Sequence, residues 1–392
     1  MGFFFRSFFG LLVAAALLVG TGLFFLMKAV WNHFLPASVV HRKRWRILGG
    51  LLSAAALLGI GFLFWRDLLI FVAYLPFLAG LLELVFRLIR RILKNRRPFG
   101  QRMERFLSFC GKIWRSRLLP FALSALIVLL GAVNLANPRT TAYELTATSP
   151  SAGSLNALPD GKLTVYFLSD IHVGTIQNPE SVHRYLQAIA AEKPDLLLLG
   201  GDLTDESSSK EDMLSLFEWI GQIQTTYGIY AVDGNHDRQK YASDGSRTFS
   251  SAEYASAMEA NGIRLLSDEC VETDAFRIIG RKDASDSSRK AGNSILTDEQ
   301  RADPKYTILL DHQPNGGTAE DWSDADLVLC GHTHGGQVFP AGLLIELFGY
   351  NAGLYKDGDR TLIVSTGVAG WGFKTKTQGR AEGVKIVLSR AQ

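Results

Sequence analysis

The chain has 392 residues, of which 47% are hydrophobic and 20% charged, so it is long enough for more than one domain. Its net charge of +3 is divided unevenly: residues 1–137 carry 18 basic and 3 acidic side chains, whereas residues 138–392 carry 23 basic and 35 acidic ones. Neutralising a phosphate backbone requires clustered Lys and Arg. The acidic C-terminal part should therefore bind nucleic acid poorly, and no nucleic-acid partner is expected.

Four apolar segments lie in the first 137 residues, at about residues 8–30, 47–65, 68–86 and 118–136. Each is about long enough to cross a hydrocarbon layer of about 30 Å as a helix. They predict an all-α transmembrane region of four helices over residues 1–137. The first is longer than the apolar core of an ordinary signal peptide, and three further spans follow it, which favours an uncleaved helix.

Lys and Arg collect in two short loops, at residues 42–46 and 87–117, between the first and second and between the third and fourth predicted spans. The positive-inside rule places both loops in the cytoplasm. This predicts a multi-pass protein of the cell (inner) membrane, with everything after residue 136 outside the cytoplasm. The basic 87–117 loop is interpreted as a topology signal that contacts anionic lipid, because it lies between two spans.

Residues 138–159 are rich in Pro, Thr, Ser, Ala and Gly and show little apolar periodicity. This composition predicts a linker to a domain that fills residues 160–392. The cysteines Cys110, Cys270 and Cys330 show neither metal-binding nor disulfide-framework spacing. Two small buried thiols are favoured at Cys270 and Cys330, and a disulfide between them stays open.

After residue 159, short apolar runs repeatedly end in a polar cluster. Such runs are typical of buried strands, and helical periodicity between them indicates an α/β sheet whose site lies beyond the strand ends. The five clusters are DIH at 170–172, GDLTD at 201–205, GNHD at 234–237, His312, and GHTH at 331–334. Carboxylate, amide and imidazole donors suit Mn, Fe, Zn or Co, and a shared carboxylate can hold two such ions about 3.5–4 Å apart.

This ordered set resembles the motifs of the calcineurin-like metallophosphoesterases, in the membrane-anchored form known from bacteria. The resemblance covers residues 162–392 and implies a four-layer α/β-β-α sandwich with two divalent metal ions at the edge of its sheets. It also implies that Asp170, His172 and His334 bind the first metal, that Asp202 bridges, and that Asn235, His312 and His332 complete the second site. His236 would face the phosphate as a proton donor, with Asp205 orienting its ring.

The expected activity is a membrane-bound, metal-dependent hydrolysis of a phosphoester, manganese being one candidate metal, through in-line attack of a metal-bridging hydroxide. The family's ligands do not fix the substrate, which could be a monoester, a diester or a pyrophosphate. Two alternatives stay open: a pyrophosphatase of a nucleotide-linked lipid precursor, and a non-catalytic membrane sensor with a metal-phosphate site. An intact pair of His236 and Asp205 argues against the sensor, because a binder needs no proton donor.

Three further features are weaker. Arg281 and Asp283 follow the strand-like FRII and are candidates for substrate binding, with Arg281 as a phosphate clamp, although a surface turn accounts for them equally well. Residues 338–350, VFPAGLLIELFGY, are unusually apolar for a loop region, and Trp371 lies in another late Gly-rich segment. Packing within the protein is favoured for these apolar residues over contact with the bilayer or a lipid-linked substrate.

Overall fold

The computed structural model describes residues 118–243, 245–314 and 322–390, together with single helical positions between residues 70 and 105. The predicted spans at 8–30 and 47–65 lie outside the described residues, and only scattered helical positions of the 68–86 span are described. The fourth predicted span is helix α1, Leu118–Ala136, and it is long and apolar enough to cross a membrane. The described residues support this one span, and the four-helix region stays a prediction.

The chain divides into two units, residues 1–130 and 131–392. Helix α1 ends in the second unit, which contains twelve strands among its described residues. They are β1 (Arg139–Ala147), β2 (Lys162–Leu168), β3 (Leu196–Leu199), β4 (Ile229–Ala231), β5 (Ile263–Leu265), β6 (Glu269–Glu272), β7 (Phe276–Gly280), β8 (Tyr306–Leu310), β9 (Leu327–Cys330), β10 (Gly353–Asp357), β11 (Arg360–Val364) and β12 (Glu382–Arg390). The helices after α1 are α2 (Pro179–Ala191), α3 (Lys210–Gly221), α4 (Ser251–Ala260), α5 (Asp298–Ala302) and α6 (Ala341–Glu346).

The strands form two mixed six-stranded sheets, in the orders β1-β12-β2-β3-β4-β5 and β10-β11-β9-β8-β7-β6. One apolar core contains side chains of both sheets, such as Phe167 and Leu198 of the first and Ile308 and Leu329 of the second, so the sheets pack face to face. A second core joins the other face of the first sheet to α2, α3 and α4. The expected mixed α/β sheets are confirmed, and the core between them packs the two sheets against each other.

The segment predicted as a linker differs from that expectation. Residues 139–147 form β1, which pairs in parallel with β12 along its whole length. The turns that follow bury Ala152, Leu155 and Leu158 in the core between the sheets. Its Thr, Ser and Ala content resembles a linker, but alternate residues near the end of β1 are buried, and this period of two is that of a strand.

Only two residues separate the end of α1 from the start of β1. The last turns of α1 also bond directly to two loops of the second unit: Asn134 Nδ2 donates to the carbonyl oxygens of Lys376 (2.8 Å) and Gly379 (3.0 Å), and Gln177 Nε2 donates to Leu135 O (2.6 Å). A methyl group on Gly131 would overlap Thr375 Oγ1, so the helix backbone packs against that loop without a gap. The end of α1 is therefore part of the folded domain.

Candidate metal centre

The five polar clusters follow strands of both sheets. The clusters containing Asp170, Asp202 and Asn235 follow β2, β3 and β4 of the first sheet, and those containing His312 and His332 follow β8 and β9 of the second. Because the two sheets share one core, their strand ends open at the same edge. The sequence predicted the strand ends, but not their division between two sheets.

The structure brings the predicted ligands into two groups. Asp170, His172 and His334 have ligand atoms within 4.8 Å of one another, and so do Asp202, His312 and His332. Asn235 joins the second group, since its Oδ1 lies 3.2 Å from His312 Nε2. Asp202 Oδ2 lies 3.2 Å from His312 Nε2 and 3.8 Å from His172 Nε2, between the two groups. This is the position that a bridging carboxylate needs.

The backbone of these residues is held in an uncommon conformation. Five of the seven predicted ligands have a positive φ, between 44° and 70°, which costs a non-glycine residue free energy: Asp170, His172, Asp202, His332 and His334. Such strain persists only where the surrounding fold enforces it, and it concentrates at functional sites. Here it turns each side chain away from its strand and towards the shared edge.

Several hydrogen bonds fix the orientation of the ligands. His312 Nδ1 donates to Gly200 O at 2.7 Å, which leaves Nε2 as the nitrogen that faces Asp202. The backbone N–H of His332 donates to the Asp170 carboxylate at 3.0 Å. A methyl group on Gly234 would overlap Asp202 Oδ1, so only glycine lets the GNHD turn approach the GDLTD turn this closely.

Asp237 fastens these two turns together. Its buried carboxylate accepts backbone N–H groups of Asp202 (2.7 Å), Leu203 (3.0 Å), Thr204 (3.1 Å) and Gly234 (2.8 Å). Sequence analysis had given this residue no role of its own. The motif letters alone do not reveal that one carboxylate serves both turns.

The donors fit divalent metal ions. Among the described residues, His172 Nε2, His332 Nδ1 and His334 Nδ1 are buried and have no hydrogen-bond partner. A buried imidazole nitrogen without a partner costs free energy unless something coordinates it. Two carboxylates, four imidazoles and one amide, with no thiolate, suit Mn, Fe, Zn or Co. The residues of the site therefore fit two divalent cations of that group.

The surroundings of Asp202 and His334 favour the states that metal ligands require, whereas Asp202 outweighs burial and raises the pKa of His312 above its ordinary value. Burial alone would raise the pKa of Asp202, but the neighbouring His312 and His172 outweigh it and lower that pKa well below its usual range. Burial lowers the pKa of His334 to about 3, so its ring is neutral near pH 7. An ionised carboxylate and a neutral imidazole are the forms that bind a cation.

His236 lies beside the two ligand groups, with its ring centroid 5.7 Å from that of His172. Its backbone N–H donates to Asp202 Oδ1 at 2.8 Å, and its Nδ1 lies 2.8 Å from Glu206 Oε2. Burial alone would lower the pKa of His236, but the hydrogen bond to Glu206 and the charge of Asp202 raise it above its ordinary value. His236 is thus held where it can carry a proton, outside both ligand groups.

The partner of His236 is Glu206, whereas sequence analysis expected Asp205. Asp205 Oδ2 instead lies 3.4 Å from His172 Nδ1, and its Oδ1 accepts Thr175 Oγ1 at 2.6 Å. The two acids are neighbours in the sequence and point to different histidines. Asp205 therefore faces the candidate ligand His172, and Glu206 is the hydrogen-bond partner of His236.

Trp371 is a second residue whose place the sequence did not reveal. Its ring stacks on His236 with centroids 5.3 Å apart and an interplanar angle of 28°, and 48% of the residue is exposed. The loop that carries it is tied down by Lys376, whose buried Nζ donates to Ala369 O at 2.8 Å and to Thr366 O. Burial lowers the pKa of Lys376 to about 7. Trp371 thus forms the exposed wall of the site.

Arg281 and Asp283 occupy different surroundings. Arg281 is fully buried, with its Nε 3.2 Å from Asp268 Oδ1 and its guanidinium bonded to Lys290 O. Asp283 accepts both hydrogen bonds from Gln313 Nε2 and borders a polar cavity of about 400 Å³ that reaches Gly234. Of the two predicted substrate contacts, only Asp283 lines that cavity.

Cys270 and Cys330 are both free thiols, and Cys330 is buried.

Comparison with known proteins decides the family. A family profile described as "Calcineurin-like phosphoesterase" matches residues 163–336. An uncharacterized metallophosphoesterase of Aquifex aeolicus is 32% identical over 194 residues, which cover 48% of this chain and 69% of that protein. The chain belongs to the calcineurin-like phosphoesterase family. The resemblance on which the sequence analysis rested is confirmed.

Two other relatives also align with only part of their length. An uncharacterized metallophosphoesterase of Helicobacter pylori is 32% identical over 219 residues, which is 55% of this chain and 56% of that protein. A "Transmembrane protein with metallophosphoesterase domain" of Danio rerio is 28% identical over 286 residues, 71% of this chain and 64% of that protein. The chain thus spans about half the length of its Helicobacter relative and somewhat more of the Danio one. Both relatives are named as metallophosphoesterases or as containing a metallophosphoesterase domain, in agreement with the family membership.

Proposed function

We propose that this chain is a membrane-associated phosphoesterase that hydrolyses its substrate with two divalent metal ions. The observation that carries the proposal is the convergence of two ligand groups on either side of Asp202, with His236 beside them but outside both. A site built only to bind phosphate would not need His236 backed by a carboxylate. This pair therefore favours catalysis over the metal-phosphate sensor.

The proposed roles follow from the contacts. Asp170, His172 and His334 hold one ion, Asn235, His312 and His332 hold the other, and Asp202 lies between them. Two divalent ions held there would supply Lewis-acid chemistry, acidifying water for attack and offsetting charge on the phosphoryl oxygens. His236 donates a proton to the leaving oxygen, and Glu206 keeps its ring in place through Nδ1. Asp205 orients His172.

The proposal also covers the membrane topology and the residues that contact the substrate. We propose a multi-pass membrane protein with its catalytic domain outside the cytoplasm, on the loop charges at residues 42–46 and 87–117. Asp283 borders the polar cavity and is a candidate contact for the substrate. Arg281 is a weaker candidate as a phosphate clamp, because Asp268 already neutralises its charge.

The test uses the full chain, purified in detergent, stripped of metal and reconstituted in turn with Mn²⁺, Fe²⁺, Zn²⁺ and Co²⁺. We expect metal-dependent hydrolysis of p-nitrophenyl phosphate or bis-p-nitrophenyl phosphate, and its loss in Asp202→Ala, because the ions then lose their shared ligand. Asp298→Ala removes an exposed aspartate outside the site and serves as the matched control. Undiminished activity in Asp202→Ala, or no hydrolysis with any of the four metals, would refute the proposal.

A further inference from the structure

Large exposed apolar side chains are concentrated in one segment beside the metal centre. Among the described residues after α1, nine large apolar side chains are exposed, and five of them lie within ten residues. We call these five the apolar rim: Phe339 (39% exposed), Leu343 (51%), Leu344 (57%), Leu347 (74%) and Phe348 (90%). A continuous apolar surface of this kind on a folded domain marks a place of interaction. Packing within the protein, which the sequence favoured for residues 338–350, does not cover it.

The apolar rim is joined to the metal centre through short stretches of chain. It begins five residues after the candidate ligand His334. Gln337, between them, accepts the backbone N–H of Trp371 at 2.8 Å and donates to Thr375 O at 3.1 Å. Trp371 in turn stacks on His236. The segment that carries the rim is therefore connected through Gln337 and Trp371 to the proposed proton donor.

The apolar rim is also linked to the end of α1, through a single loop. Thr377 Oγ1 accepts the backbone N–H of Phe339 (3.2 Å), and Gln378 Oε1 accepts that of Gly342 (2.9 Å). The same loop bonds on its other side to α1, because Lys376 N donates to Gly131 O at 3.0 Å. One loop thus lies between the last turns of the helix and the rim.

Helix α1 has the length that a membrane span needs. A helix rises 1.5 Å per residue, so Leu118–Ala136 is about 28 Å long, close to the thickness of a hydrocarbon layer. Gly131 lies within about 8 Å of the C-terminal end of that helix. Lys374 and Arg380, exposed on the same loop, suit anionic headgroups.

We infer that the apolar rim inserts into the interface of the bilayer that α1 crosses, and that the site acts on a phosphoester carried by a membrane lipid. This inference rests on the proposed function, whose substrate it narrows to esters with a hydrocarbon tail. The tail stays in the bilayer against the rim, and the phosphate lies over Trp371 and His236. No extraction of the lipid from the membrane is required.

The first experiment compares two substrates that differ only in their tail, using the full chain in nanodiscs of dioleoyl phosphatidylcholine and phosphatidylglycerol. The pair is p-nitrophenyl methyl and p-nitrophenyl hexadecyl phosphate for a diesterase, or butyl and hexadecyl phosphate for a monoesterase. We expect kcat/KM to favour the hexadecyl ester by about tenfold or more, because the rim contacts its tail. In Leu344→Ser/Leu347→Ser/Phe348→Ser this preference should fall by about tenfold, while hydrolysis of the short ester is unchanged.

Leu214→Ser, an exposed leucine on α3, is the matched control and should keep the preference. Equal turnover of both esters by the unaltered chain, or an unchanged preference in the rim variant, would overturn the inference and leave the proposed function standing. Hydrolysis of neither ester, and of neither p-nitrophenyl substrate above, would instead remove the proposed function. The two failures are therefore distinguishable.

A second experiment measures insertion without catalysis. A fluorophore is attached to Phe348→Cys, in a chain whose native cysteines are replaced by alanine, and the nanodiscs contain lipids brominated along their acyl chains. We expect strong quenching at position 348 and none at Leu214→Cys, because only the rim reaches the hydrocarbon. Equal fluorescence in brominated and ordinary lipid at position 348 would exclude insertion and favour a protein partner for the rim.

Discussion

The metal-ligand cluster and the apolar rim are neighbouring regions built in opposite ways. Five of the seven candidate ligands are buried and two are partly buried; they follow core strands, and strained backbone and shared hydrogen bonds hold them. The rim is exposed, lies on the short helix α6 and the turns around it, and is attached mainly through one loop. The first region has the properties needed for chemistry, and the second has those needed for access to a substrate.

Because of this difference, substitutions in the two regions should have different effects. Changes among the ligands should abolish turnover of every substrate, whereas changes in the rim should alter only the choice between substrates. His236, Glu206 and Trp371 adjoin the candidate ligands without belonging to either ligand group. Variants of these residues show which of them are needed for turnover. They are ordered below by the size of the expected effect.

The largest effect is expected for His236→Ala. Removing a proton donor typically lowers kcat by about 10²–10⁴-fold, whereas the ions should be retained because His236 belongs to neither ligand group. Metal content by elemental analysis, measured alongside kcat, separates the two quantities. His183→Ala, whose ring stacks on Trp219 on α3, is the control and should change neither. Loss of both metals in His236→Ala would show that this residue is a ligand.

An intermediate effect is expected for the adjacent acids, and it should differ in kind. Asp205→Asn weakens the support of the ligand His172 and should lower metal affinity by about 10–100-fold. Glu206→Gln weakens the support of His236 and should lower kcat by about 10–100-fold at saturating metal. Metal titrations of activity for both variants give affinity and kcat together. The opposite assignment of the two losses would restore Asp205 as the partner of His236.

The smallest effect is expected for Trp371→Ala. Stacking between aromatic rings contributes about 0.5–1.5 kcal/mol, so kcat on a soluble ester should fall by no more than about tenfold. Trp371→Phe keeps an aromatic face against His236 and should recover most of this loss. A loss as large as that of His236→Ala would extend the chemical region to the exposed wall.

Most of the fold could be predicted from apolar runs, since LTVYFL and TILL become β2 and β8 as expected. Their division between two sheets could not, because the strand period reports which residues are buried and not which sheet they join. The strand β1 was also missed, since its Thr and Ala content is shared by linkers and by edge strands. Its partner β12 lies more than 200 residues further along the chain.

The site shows the same boundary between local and distant information. Candidate ligands such as Asp202 and His334 occur in compact motifs after strands, so their sequence spacing is enough to select them. Glu206 directly follows such a motif, and only the turn of the backbone decides whether it or Asp205 meets His236. Trp371 lies 135 residues from His236 in the sequence, and no local pattern connects them.

The two-residue connection between α1 and β1 has a consequence for how the protein searches for its substrate. A connection this short spans no more than about 10 Å, so β1 starts close to the end of α1. With α1 in a bilayer, as proposed, the domain would meet its substrate in the lipid around that helix, and the relevant concentration would be molecules per unit of membrane area. Diluting the membranes in buffer should leave the turnover of such a substrate unchanged, whereas diluting it with inert lipid should slow the reaction.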